Sequence, residues 1–318
     1  MAEKVIDKIN KSGKPLFTFE LLPPLKGHTI EEIYNAIDPL LEFDPAYINV
    51  TYHQQEINYK ERSDGLLEKR VIRKRPGTVA LSAAINYKYG IPVVPHLICG
   101  GFTREETEDA LIDLHFLGIN NVLAIRGDPV AGEKRFRPEP GGHKHSDELV
   151  RQIMDLNRGK YLHDLSDASP TNFCVGVAGY PEKHAESPNF ETDLYYLKKK
   201  IENGAEYIVT QLFFDNAKFF RFVAMCRDYG IDVPIIPGIK PVSAKSDVKW
   251  IPRPFSVDIP DELVSEVEKC DNKQQAREVG VEWAIRQSKE LLDAGVPGIH
   301  YYTLSQSDNI RKIAKAVF

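Results

Sequence analysis

Short runs of β-branched and aromatic residues alternate with longer amphipathic stretches along the whole chain, and the alternation repeats about eight times. The apolar runs predict strands at Leu16 to Leu22, Tyr47 to Tyr52, Pro92 to Cys99, Asn121 to Arg126, Phe173 to Tyr180, Tyr207 to Phe214, Pro234 to Ile239 and Gly298 to Leu304. Several are continuous apolar blocks, as parallel strands covered on both faces are. Between them, helical spacing predicts helices at Thr29 to Phe43, Thr78 to Tyr89, Thr103 to Leu117, Ser146 to Arg158, Phe190 to Asn203, Ala217 to Tyr229, Gln274 to Ala294 and Ser307 to Val317. A further helix, Lys4 to Lys11, precedes the first strand. Thr103-Arg-Glu-Glu106 reads as a capping box, and Gly118, Gly204, Gly230 and Gly295 stand where helices stop.

Strand-helix units with no break in composition predict an α/β fold, a (β/α)8 TIM barrel with an extra N-terminal helix, and one domain over 1–318. An open doubly wound sheet is the alternative. The longest irregular stretches, Asp128 to His145 and Lys240 to Pro260, each follow a strand. In a barrel both lie on the C-terminal face, where such loops carry ligand contacts.

Composition narrows the partners. With 42% hydrophobic and 27% charged residues and a net charge of -5, opposite charges interspersed, nothing advertises nucleic acid, so an anionic ligand must be held locally. No apolar run is long enough for a membrane span, and charges throughout the N-terminus argue against a secretory signal, which makes the cytoplasm the default compartment. Cys99, Cys174, Cys226 and Cys270 form no metal or redox spacing and read as buried thiols.

A barrel assembles its site from strand C-termini, and here those ends are polar. Glu20 lies inside an apolar run, where burial favours the neutral acid unless a cation pairs with it; a structural ion pair is the competing reading. Arg126-Gly127-Asp128 is ordinary turn chemistry, but at a strand end Arg126 could clamp a phosphate or a flavin carbonyl and Gly127 would let backbone approach a flat ring. Lys198 to Lys200 reads as a solvated helix face from which one lysine could reach a phosphate. No Rossmann fingerprint or P-loop occurs. His143-Lys-His145 has metal-like spacing without an acidic partner, and no metal is expected.

Taken in order, the strand ends Phe19-Glu20-Leu-Leu-Pro-Pro24, Asn49-Val-Thr-Tyr52, Pro95-His-Leu97, Arg126-Gly-Asp128, Gly179-Tyr-Pro-Glu-Lys-His184, Thr210-Gln-Leu-Phe-Phe-Asp215, Pro237-Gly-Ile239 and His300-Tyr-Tyr-Thr-Leu304 are informative together. In them the chain resembles the methylenetetrahydrofolate reductase family over nearly its whole length. The resemblance implies FAD across the C-terminal face, reduced by NADH or NADPH and reoxidised by 5,10-methylenetetrahydrofolate in a ping-pong cycle. By the same resemblance Glu20 matches the general acid. Thr51, His96, Arg126, Gly127, Asp128, Tyr180, His184, Asp193 and Lys200 match flavin-contacting positions, with Asp128 also serving the chemistry by favouring a cationic iminium. Gln211 matches a folate-contacting residue and Tyr302 falls in the segment lining that pocket. A homo-oligomer is also implied.

The chain departs from the family pattern at Ser305-Gln306, where Asn-Arg is common, and in the loop Pro241 to Trp250, where Trp250 or Phe255 could substitute for a missing aromatic. A basic stretch, Arg135 to His145, has no readable role. One helix after the last strand predicts the catalytic barrel alone, without a regulatory extension. Two rivals remain open: a metal-dependent barrel hydrolase or pterin methyltransferase using His96, His184 and Asp128, and a non-catalytic flavin-binding barrel.

Overall fold

In the computed structural model, which describes residues 3–130, 133, 135–303 and 306–318, strands and helices alternate as the hydrophobic pattern predicts. In chain order the elements begin α1 (Val5–Lys11), β1 (Leu16–Leu21), α2 (Glu31–Ile37), β2 (Tyr47–Val50), β3 (Glu56–Glu61), β4 (Leu67–Ile72), α3 (Thr78–Tyr89), β5 (Val93–Ile98), α4 (Arg104–Phe116), β6 (Asn121–Ile125) and α5 (Ser146–Leu156). They continue with β7 (Cys174–Gly179), α6 (Phe190–Glu202), β8 (Tyr207–Leu212), α7 (Asn216–Asp228), β9 (Ile235–Ile239), α8 (Asp247–Trp250), α9 (Pro252–Phe255), α10 (Asp261–Lys269), α11 (Lys273–Asp293), β10 (Gly298–Tyr302) and α12 (Ser307–Val317). Eight strands close a barrel in the order β1-β10-β9-β8-β7-β6-β5-β2, and the pairings are parallel.

The two-residue period of a strand explains how an apolar run also delivers polar groups. On β1, Phe17, Phe19 and Leu21 join the layer between barrel and helices, where they meet Ile33, Ile37, Ile310 and Ile313. Leu16, Thr18 and Glu20 are the alternate residues. Leu16 joins Tyr47, Val94, Leu123, Cys174, Tyr207 and Ile236 in a second cluster that fills the lower barrel. Gly176 makes room there, since a Cβ at that position would lie 2.3 Å from the Tyr207 ring. Val5 of α1 belongs to this cluster, and its backbone N–H donates to Asn121 Oδ1 at 2.8 Å, so the extra N-terminal helix plugs the bottom of the barrel. All four cysteines are buried.

Thr103 and Glu106 form the expected reciprocal capping box. Four segments differ from expectation, one of them α10, a helix over residues to which the hydrophobic pattern assigns no element. The stretch expected as one helix over Thr29 to Phe43 is α2 followed by a 3-10 turn over Asp38–Phe43, because Pro39 has no N–H to continue the α ladder. Residues 56–72 form an antiparallel hairpin around Arg62 to Gly65; its strands mix charged and apolar residues and hold no apolar run of the kind that marks the barrel strands. Finally, Lys240 to Pro260, expected to be irregular, contains the one-turn helices α8 and α9, whose length Pro252 and Pro254 limit. The end of the eighth predicted strand at Leu304 and the family departure at Ser305 lie outside the described residues.

Candidate active site

Register brings the polar residues of the upper barrel together. Glu20 is paired with Asn49 on one side and Tyr302 on the other, while His300 is opposite Thr18. Glu20 is 8% exposed, and its Oε2 lies 3.9 Å from His96 Nε2 and 3.8 Å from His300 Nε2. Burial lowers the pKa of His96 to about 4, so it is a neutral imidazole and not the cation that a structural ion pair would require. Asn49 Nδ2 donates to His96 Nε2 at 3.2 Å.

On the opposite wall, a bulge between Val209 and Leu212 interrupts the pairing of β8 with β9. Tyr302 donates its phenol to the Thr210 carbonyl at 2.5 Å, and Gly238 N–H donates to Thr210 Oγ1 at 3.0 Å. Glycine is needed at 238 because a Cβ there would lie 2.3 Å from the Thr210 carbonyl oxygen and 2.6 Å from the Tyr302 ring. Gln211, on the bulge, is half-buried and accepts from the Leu212 N–H at 2.9 Å, which leaves its amide NH2 end for other partners.

Around the rim from β6 to α6 lies a cavity of about 330 Å³ whose lining includes Arg126, Tyr180, His184, Asp193 and Lys200. These residues, distant in sequence, thus share one space. Lys200 is only 8% exposed and its ammonium donates to the Ala178 carbonyl at 2.9 Å. Burial lowers its pKa to about 8 against the opposing pull of Asp193 and Asp147. Lys198 and Lys199 instead reach the Tyr229 carbonyl and the Tyr195 ring, so only one member of the lysine run faces the cavity. Asp193 braces the wall by accepting from His184 N–H at 3.0 Å and Ser187 Oγ at 3.1 Å.

Arg126 grips Glu186 with both terminal nitrogens at 2.8 and 2.9 Å and lies over the Phe136 ring, which leaves its buried Nε without a partner. Its fork is therefore already engaged, and the guanidinium holds the Glu186 carboxyl below the usual carboxylate range. Glu186 and Phe136 were invisible to sequence reasoning because both sit on loops with no periodicity. Gly127 has φ of +84°, a backbone conformation that suits glycine, and Asp128 is exposed, with its carbonyl accepting from Gln54 Nε2 at 2.9 Å. Thr51, at the end of β2, donates its hydroxyl to the Leu21 carbonyl at 3.2 Å. His143 is buried against Gln152, and among the described residues no group of three or more His, Cys, Asp or Glu could hold a metal ion.

Fold and site together define a (β/α)8 barrel with a buried carboxyl group at its mouth and a partly cationic cavity along its rim. The chain belongs to the methylenetetrahydrofolate reductase family, whose model matches residues 5–317. Methylenetetrahydrofolate reductase (NADH) 1 of Arabidopsis thaliana is 32% identical over 315 residues, 95% of this chain and 48% of that protein. The 5,10-methylenetetrahydrofolate reductase of Salmonella typhimurium is 30% identical over 297 residues, 93% of this chain and 88% of that protein. The chain spans about half the length of the first curated relatives it matches. A solved structure from Clostridium thermocellum, of an uncharacterised protein described as binding two copies of 5-methyl-5,6,7,8-tetrahydrofolic acid, shares the fold with a TM-score of 0.58 at 16% identity, covering 98% of this chain and 97% of that one. No helix among the described residues is long and apolar enough to cross a membrane.

Proposed function

We propose that this chain is a cytoplasmic, single-domain catalytic barrel that reduces 5,10-methylenetetrahydrofolate to 5-methyltetrahydrofolate with NADH or NADPH, using FAD in a ping-pong cycle that supplies methyl groups for methionine synthesis. The observation that carries the reading is Glu20: a carboxyl group 8% exposed at the mouth of a barrel, beside a neutral imidazole rather than a cation. A carboxyl group so placed can act as the acid that the departing ring nitrogen of the folate needs.

The rim cavity fits FAD by the chemistry of its donors. Lys200 and the unpartnered Arg126 Nε offer positive charge to a diphosphate, and Gly127, without a side chain, lets a flat ring approach the end of β6. Thr51, His96, Arg126, Gly127, Asp128, Tyr180, His184, Asp193 and Lys200 would hold the cofactor. When bound, FAD supplies the two-electron carrier between nicotinamide and folate. Glu20 protonates the folate nitrogen, and the Asp128 carboxylate favours the resulting cationic carbon centre. Gln211 meets the pterin edge with an amide that donates and accepts, and Tyr302 lines the same wall. Association into a homo-oligomer belongs to the same reading.

Purified protein is expected to be yellow, bleached by NADH or NADPH and recoloured by methylenetetrahydrofolate. In Glu20→Gln, bleaching stays within about twofold of wild type while recolouring falls by about a hundredfold or more. Colourless protein with stoichiometric metal is the outcome that favours the hydrolase or methyltransferase alternative. A yellow protein inert in both half-reactions favours the non-catalytic barrel.

A further inference from the structure

Glu20 lies between two imidazoles, and the hydrogen bonds around each ring decide which nitrogens carry protons. Asn49 Nδ2 can only donate, so His96 Nε2, 3.2 Å away, presents its lone pair to that amide. Thr18 Oγ1 lies 3.2 Å from the Ile299 carbonyl, which can only accept, and 2.9 Å from His300 Nδ1. One hydroxyl proton satisfies both contacts only when Thr18 donates to Ile299 and receives the Nδ1 proton of His300. In the neutral ring Nε2 then carries the lone pair, and it is buried without a hydrogen-bond partner. A buried acceptor wants a donor. The Glu20 carboxyl group, 3.8 Å away, is placed to meet it.

The other groups facing this pair are His96, His53 and Tyr302, with the Arg75 guanidinium beside His53. Burial keeps His96 and His53 neutral by lowering both, with Arg75 adding to the effect at His53. It also raises the Tyr302 phenol, whose ring meets His300 edge-on at 5.3 Å.

We propose that His300 is a positioning residue for the acid of the folate half-reaction. Rotation of the Glu20 carboxyl brings its acid O–H towards His300 Nε2, which holds that group in one orientation at the barrel mouth until substrate takes the proton. The proton then passes to the folate nitrogen, and the bond from that nitrogen to the bridging carbon breaks with its electron pair staying on nitrogen. The Glu20 carboxylate recovers one proton from water per turnover. This role rests on the reading of Glu20 as the acid.

Two substitutions separate the nitrogens of the ring. His300→Asn places an amide near the Nδ1 position and keeps a partner for Thr18 but lacks an acceptor near Glu20; His300→Gln carries an amide oxygen to the Nε2 position. Expected is a loss of about thirtyfold in recolouring by methylenetetrahydrofolate for His300→Asn, recovery to within about fivefold in His300→Gln, and bleaching by NADH within about twofold of wild type in both. Independently of activity, nitrogen NMR of the labelled wild-type protein should show His300 as the Nδ1–H tautomer, with an Nε2 resonance that moves towards that of a free acceptor in Glu20→Ala. An Nε2–H tautomer, an Nε2 signal indifferent to Glu20→Ala, or His300→Asn recolouring at the wild-type rate overturns the proposal. If Glu20→Gln loses recolouring while His300→Asn keeps it, only the role of His300 falls; if Glu20→Gln recolours normally, the acid reading falls and this role with it.

Discussion

Replacing Lys200 by Met removes the ammonium and keeps most of the stem, and its consequences differ in sign for the protein without cofactor and for cofactor binding. In the folded chain burial lowers this pKa from the ordinary 10.5 to about 8. By linkage, holding the charged form at neutral pH costs the fold about 3 kcal/mol. The group is only 8% exposed, so solvent screens little of this. Loss of the hydrogen bond to the Ala178 carbonyl returns about 1 kcal/mol, so Lys200→Met should be about 2 kcal/mol more stable than wild type at pH 7 without FAD. The pH dependence has a definite direction. Between pH 8 and 10.5 the unfolded wild-type chain binds the lysine proton more strongly than the folded one, so wild-type stability gains with rising pH and the advantage of the variant disappears. Urea unfolding of both apoproteins at pH 7 and pH 10 measures this double difference. FAD retention should move the other way, with affinity down by about ten- to a hundredfold, as loss of a buried cation opposite a diphosphate implies. A variant less stable than wild type at pH 7, with the same pH dependence, would refute the argument that burial strains this ammonium. Unchanged FAD affinity would return Lys200 to a structural role.

Other sites give sharper local tests. Gly238→Ala should lower unfolding stability by about 2 kcal/mol and weaken folate binding, because its Cβ meets backbone at 2.3 Å and must push β8 or Tyr302 aside; a wild-type urea midpoint would contradict this. Glu186→Gln should loosen the Arg126 fork, and titration of FAD is expected to tighten if the freed guanidinium turns to the diphosphate; weaker binding would mean that Glu186 holds Arg126 where it is needed. Thr103→Ala breaks the capping box of α4 and should cost about 1 kcal/mol in denaturant unfolding with both half-reactions unchanged.

The sequence by itself determined the barrel. Apolar blocks at strand length, helices with stop signals between them and a capping box at Thr103 are local signals, and local signals suffice where each strand is buried on both faces. It also singled out Glu20, since a carboxyl group inside an apolar run must be explained wherever the run goes. The hairpin over 56–72 escaped because its strands are rich in charge and hold no apolar run of strand length, and the one-turn helices after β9 because they are too short to show a period. Only tertiary structure decided what surrounds Glu20 and which lysine matters. Thr18, Asn49 and His300 come to one place through the register of β1 with β2 and β10, and Glu186 takes the Arg126 fork from sixty residues away. Lys198, Lys199 and Lys200 are alike in sequence; the rotation of α6 against β7 buries one beside the cavity and leaves the others to carbonyl and ring partners outside it. Charge state follows burial and neighbours, and in a barrel the neighbours are supplied by strands whose separation along the chain carries no trace of their contact.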